Sequence, residues 1–114
     1  MNPGRKVNAP PMVHNLRYGA DYRVTVPVTV LDHSEFGGLD KAIEMCNGNG
    51  RCRKSEVGTM CPSYMATLDE MHSTRGRANA LHAAMSGRLP EEALFSDEMH
   101  EVMDLCLSSK ACKF

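Results

Sequence analysis

Ala42-Ile43-Glu44-Met45-Cys46-Asn47-Gly48-Asn49-Gly50-Arg51-Cys52-Arg53-Lys54 decides how this chain is read. Upstream and within it, Leu39, Ile43 and Cys46 recur at helical spacing, which sets an apolar stripe and a thiol on one side of a short helix. Asn47 to Gly50 tolerate positive φ, as a loop wrapping an inorganic core at close range requires, although turn chemistry alone also accounts for them. The group continues to Cys61-Pro62 with the spacing Cys46-x5-Cys52-x8-Cys61, and a second group, Cys106-x5-Cys112, lies near the last residue, Phe114. Helices that each deliver a thiol into a turn imply an all-α fold from residue 37 onward.

The other helices are marked by their ends. Thr67-Leu68-Asp69-Glu70 has the form of a capping box, and Ser73 stands where it would cap the next helix. Ala78, Leu81, His82 and Met85 follow at i, i+3, i+4 and i+7, and Gly87 suits a left-handed stop. Pro90 fits a first helical turn, Ser96 is a candidate N-cap, and Asp97 and Glu98 favour the positive end of the dipole. Met99, Val102, Met103 and Cys106 carry an apolar side to the second cysteine group. The nine methionines, beside three phenylalanines and no tryptophan, are read as soft core packing and not as ligands.

Residues 1–36 differ, because Pro3, Pro10, Pro11 and Pro27 remove backbone donors and no helical period is present. Val24, Val26, Val28 and Val30 alternate with Thr25 and Thr29, which fits either an edge strand or an extended tether lying on a neighbouring domain.

At 114 residues and net charge −1 the chain is one domain, too small for its own flavin domain and without a field suited to nucleic acid. No apolar run reaches the roughly 20 residues of a membrane span and no signal-peptide core is visible, so a cytoplasmic location is expected. An odd count of five cysteines is a poor disulfide framework. Cofactor ligation gains weight accordingly. The five histidines are scattered without zinc-finger spacing, Asp97, Glu98, Glu101 and Asp104 read as a solvated helix face, and no phosphate loop or nucleophile elbow is present.

Thiolates hold iron–sulfur clusters because soft sulfur donates strongly to iron, and a Cys-Pro cysteine can cross from its own group to the other cluster. Cys61 has that form. In a C-x2-C-x2-C group the middle ligands would fall at positions occupied here by Asn49 and Ser109. Cys61, Cys106 and Cys112 are therefore the expected metal ligands of one site, a complement for a [3Fe-4S] cluster, or for a [4Fe-4S] cluster with Ser109 supplying an oxygen. Cys46 and Cys52 remain for a first site. Arg51, Arg53, Lys54, Lys110 and Lys113 lie within two positions of a cysteine and would offset cluster charge, unless they are simply solvated. Arg75 and Arg77 oppose the dipole of the helix they begin, so an anion, either a cluster or a carboxylate, is expected to face them.

The quoted stretch, together with Gly58-Thr59-Met60-Cys61-Pro62-Ser63-Tyr64, Ser73-Thr74-Arg75-Gly76-Arg77-Ala78-Asn79, Leu105-Cys106-Leu107-Ser108, Asn15-Leu16-Arg17-Tyr18 and Val30-Leu31-Asp32, resembles the iron–sulfur region of large bacterial FAD-linked oxidases of the D-2-hydroxy-acid dehydrogenase type. The second site also resembles the three-cysteine site of succinate dehydrogenase iron–sulfur subunits. The resemblance implies a helical ferredoxin-like domain over 37–114, with the arm 1–36 as linker. It implies electron relay from an FAD-bearing partner domain to a downstream acceptor, with no catalytic residues on this chain. Members of the family it resembles usually carry cysteine where this chain has Ser109 and continue into Glu-Cys-Pro where it stops at Phe114, so a C-terminally truncated segment, self-association and an empty site are all within expectation. The alternative reading is a zinc-binding or apo structural module.

Overall fold

A computed structural model describes residues 10–58 and 60–112 of the chain. Among them are four helices and no strand: α1 (Leu39–Glu44), α2 (Pro62–Thr67), α3 (Thr74–Met85) and α4 (Asp97–Asp104), joined by single 3-10 turns. The all-α expectation holds.

The longest helix, α3, is the centre of the packing, with α1, α4 and the 3-10 turns Glu70–His72 and Glu91–Phe95 laid against it. Its ends are fixed as the sequence predicts. Ser73 is fully buried, and its Oγ accepts from the Gly76 amide at 2.8 Å. At the other end Gly87 takes φ 73°, while the Gly87 and Arg88 amides return to the carbonyls of Ala84 and Ala83, which satisfies acceptors that otherwise lack partners. Ser96 caps α4 through the Met99 amide at 3.2 Å. Because Ser73 has no solvent to substitute for its bond, Ser73→Ala is expected to lower stability by about 2 kcal/mol, the upper part of the N-cap range. Chemical denaturation followed by circular dichroism measures it, and a loss below about 0.5 kcal/mol would mean that the cap is dispensable.

Two local expectations are corrected. Thr67 does not open a helix. It closes α2, its hydroxyl donating to the Ser63 carbonyl at 3.0 Å, and Leu68 follows at φ 57° as the left-handed stop. The cap belongs to Asp69, whose carboxylate accepts from the Met71 amide at 3.0 Å and starts the turn Glu70–His72. Nor does the valine alternation form an edge strand, for Val28 and Val30 are fully exposed and no partner strand is present among the described residues. The extended stretch is held only at its beginning, where the Thr25 amide donates to the Met85 carbonyl at 2.9 Å.

Among the described residues the buried hydrophobic side chains are few and soft, Cys52, Cys61, Tyr64, Ala84, Met85 and Met99, and Ser63, Ser73, Arg77 and His82 are buried with them. Met85 and Met99 pack as expected of thioethers, whereas Met12 and Met45 face solvent.

Candidate functional site

Each cysteine group begins in the same way. α1 ends at Glu44 and the Cys46 amide bonds back to Ile43 O at 3.2 Å, just as α4 ends at Asp104 and the Cys106 amide bonds back to Met103 O at 3.2 Å. The backbone then follows the same course in both loops. After Cys46, Gly48 and Gly50 have φ of 75° and 76°, and after Cys106, Ser108 and Lys110 have φ of 49° and 60°. Positive φ thus falls at the second and fourth positions of both Cys-x5-Cys segments. The third position repeats as well, with Asn49 Oδ1 accepting from the Arg51 amide at 3.0 Å and Ser109 Oγ from the Ala111 amide at 3.5 Å.

Alternating positive φ of this kind occurs in anion-binding nests, but here the Asn49, Arg51 and Ala111 amides donate to the side-chain oxygens of Asn47, Asn49 and Ser109. Glycine takes this conformation freely, but Ser108 and Lys110 each hold it against a cost of about 1–2 kcal/mol. Asn49 and Ser109 stand at the middle of the two loops. Their side-chain oxygens brace the loops.

Cys52 and Cys61 are drawn together in one buried cluster with Tyr64, onto which Met60 packs. Both thiols meet the first turn of α3, where the unpaired amides of a helix start favour negative charge. The Arg75 amide reaches Cys52 Sγ at 3.4 Å. Burial pushes the Cys61 thiol up, but hydrogen bonds from Thr74, Ser63 and the Tyr64 amide outweigh it and hold the group below its ordinary value. Cys61 itself has φ 56° and begins α2, its Pro62 filling the first helical position, where no amide is needed.

The two arginines that oppose the dipole of α3 are answered differently. Arg75 pairs with Glu70 at 2.7 Å, a carboxylate that also holds Arg53 at 2.9 Å. The hydrogen bond to Glu70 raises the Arg75 pKa, and the nearby Cys52 and Cys46 add to the effect, which places this guanidinium beside the first cysteine group. Arg77 is buried and reaches Cys61 Sγ at 3.7 Å and, on α4, the Val102 carbonyl at 3.0 Å. It links Cys61 to the helix that runs into Cys106.

Cys46, Cys106 and Cys112 are exposed. Among the described residues no three His, Cys, Asp or Glu side chains stand close enough to hold a metal ion, so Cys61, Cys106 and Cys112 are not gathered into one ligand group. Lys110 is described and exposed, and Lys113 lies outside the described residues.

One cluster escaped the sequence reading. His82, taken there as a position on the apolar stripe, is buried and receives Tyr22 of the arm, whose ring stacks on it at 5.2 Å and whose hydroxyl lies 2.6 Å from Nε2. The same hydroxyl donates to Glu44 Oε1 at 3.1 Å. Burial, then the hydrogen bond and charge of Glu44, push the Tyr22 pKa up to about 12. Tyr18 adds an edge-on contact to His82 at 4.2 Å. These side chains and Cys46 line a cleft of about 290 Å³ between arm, α1 and α3. Only the tyrosines of the otherwise aromatic-poor arm could have signalled it.

The chain is similar to the D-2-hydroxyglutarate dehydrogenase of Pantoea ananatis (strain AJ13355), with 29% identity over 128 aligned positions that cover 72% of this chain. It spans only 12% of that protein. No family model matches the chain, and no solved structure matches it. No helix among the described residues is long and apolar enough to cross a membrane.

Proposed function

We propose that the chain is an electron-transfer iron–sulfur segment of a flavin-linked hydroxy-acid dehydrogenase, carrying electrons from an FAD-bearing domain to a downstream acceptor. The observation that carries this reading is the pair of Cys-x5-Cys loops with positive φ at the same two positions, two of the four residues being non-glycine. The same backbone course at two thiol-bearing loops, free for the glycines but held against strain at Ser108 and Lys110, supports a shared role in wrapping an anionic metal–sulfur core. The buried cation at Cys61 and the thiols on the first turn of α3 agree with it. The similarity to a D-2-hydroxyglutarate dehydrogenase supplies the oxidoreductase context.

Cys61, Cys106 and Cys112 would hold the cluster at the second group, and Cys46 and Cys52 contribute to the first. A bound cluster supplies one-electron transfer at a potential tuned by charge and hydrogen bonds. The chain's own residues shape the two loops, keep water from Cys52 and Cys61, and set positive charge beside them. Residues 1–36 act as linker. The exposed run Val28, Val30 and Leu31 and the exposed Phe95 are apolar surface suited to the flavin domain or to a second copy.

Anaerobic incubation with iron and sulfide, followed by metal and sulfide analysis and visible spectroscopy, tests the reading. Iron and sulfide bound together, at three to four irons per site, are expected for cubane-type clusters (about 3–4 iron atoms). Zinc without sulfide, or no metal at all, would replace it with the structural-module alternative.

A further inference from the structure

We propose that the extended loop 26–31 of one copy of this chain seats in an apolar groove between α3 and α4 of a second copy, and that reciprocal seating of the two loops closes a twofold dimer. This association needs no metal. The groove, of about 380 Å³, is lined by Ala80 on α3, by Leu89, Pro90 and Ala93 around the turn Glu91–Phe95, and by Met99 and Val102 on α4. Its polar side chains are Ser96, whose hydroxyl is engaged in capping α4, and the exposed Glu92 and Glu98.

The loop is the matching half. It leaves the domain at Thr25, whose amide is bonded to Met85 O at 2.9 Å, and returns at the 3-10 turn Ser34–Phe36, which packs on α1. Between these ties Val28, Val30 and Leu31 are exposed, so the loop does not fill the groove of its own copy. Among the described residues the amides of 28–31 make no backbone bond. Anchors at both ends already restrict the loop, which lowers the ordering cost of seating it.

Charge selects a second copy as the occupant. Residues 89–109 carry Glu91, Glu92, Asp97, Glu98, Glu101 and Asp104 with no lysine or arginine, which gives the groove an acidic rim. Residues 1–31 carry Arg5, Lys6, Arg17 and Arg23 against Asp21 alone. Arg23 is exposed where the loop begins. Asp32, at its other end, is turned back on its own chain, where the carboxylate accepts from the Ser34 amide at 2.8 Å. Loop and groove therefore join as an apolar centre within a rim of opposite charges, the arrangement of specific interfaces. Each copy owns both halves, and a twofold axis satisfies both at once, leaving neither open to a third copy.

The test is analytical ultracentrifugation of the 114-residue chain under reducing conditions, which keep the exposed Cys46, Cys106 and Cys112 from cross-linking copies. A reversible dimer at micromolar concentration, loosened by added salt, is expected. Val28→Ser/Val30→Ser strips the loop of apolar contact without touching the fold, because both side chains are exposed. Ala93→Tyr fills the groove, and Glu92→Lys/Glu98→Lys reverses its rim at exposed positions. Should Ala93→Tyr fail to fold by circular dichroism, the charge variant carries the comparison. Each variant is expected to raise the dimer dissociation constant at least about tenfold, the ordinary effect of losing a central interface contact. A mixture of the loop variant with a groove variant should dimerise again, more weakly than the parent, because one intact loop then meets one intact groove.

A chain that is monomeric at every concentration would overturn the inference and leave both surfaces to a different protein, such as a flavin domain. So would a dimer indifferent to the loop variant. A dimer lost with the loop variant but kept with both groove variants would mean that loops pair with each other through their free amides. Mixed variants that stay monomeric would rule out reciprocal seating.

Discussion

Gly76→Ala is expected to lose the native fold or to melt at least about 12 °C below the parent. A Cβ at this position would stand 1.9 Å from the Glu70 carbonyl oxygen, 2.8 Å from its carbon and 3.1 Å from the Met71 Cα. All three are backbone atoms, so no side chain can swing away. Either α3 or the turn Glu70–His72 must shift, and that turn carries the Glu70 partner of Arg75, the carbonyl shared by Cys61, Ser63 and Arg77, and the approach to the Ser73 cap. Overpacking costs about 1–3 kcal/mol where neighbours can yield, and here the upper end or more applies. A cost of about 3 kcal/mol converts to the stated shift at roughly 4 °C per kcal/mol or more for a domain of this size.

Gly87→Ala is the matched control. Gly87, unlike Gly76, has positive φ, 73°, and nothing lies within 4 Å of an added Cβ, so only the conformational cost of about 1 kcal/mol is expected. Thermal melts of both variants decide the point, and a Gly76→Ala chain melting within about 4 °C of the parent would show that α3 slides freely on its neighbour.

What the sequence disclosed was local. Ser73 and Ser96 cap because a hydroxyl before a helix has a single nearby amide to serve, and Gly87 ends α3 because its conformational freedom is intrinsic. Thr67 misled because two oxygen-bearing residues, Thr67 and Asp69, compete to start the next turn, and the residue between them, Leu68, takes the left-handed conformation that spacing alone does not reveal. The first cysteine loop was legible through Gly48 and Gly50. Its twin was not, because Ser108 and Lys110 hold positive φ without being glycine or asparagine, and no propensity marks them. For Arg77 the sequence required an anion but not which one. The carboxylate went to Arg75, and Arg77 finds its bonds at Ser63 and Val102, far away along the chain.

On the proposed electron-relay reading, the segment is expected to divide the reaction of a flavin-linked dehydrogenase into two separable halves. Hydride transfer to a flavin requires a domain that orients the cofactor, and the described residues offer thiols, loops and paired cations but no acid/base pair facing a nucleotide site. By itself it should oxidise no hydroxy acid. In a protein that carries it beside an FAD domain, Cys61→Ser, Cys106→Ser and Cys112→Ser should each lower turnover with a distant acceptor by at least about tenfold, since weakened metal retention interrupts the relay. Flavin reduction by substrate precedes the relay and should keep its rate. Stopped-flow absorbance of the flavin under anaerobic conditions, alongside steady-state turnover, measures both halves on one preparation. If a folded Cys106→Ser protein lost flavin reduction as well, the cysteines would belong to the flavin site and not to the relay, and hydroxy-acid oxidation by the 114-residue chain alone would place the chemistry on the segment itself.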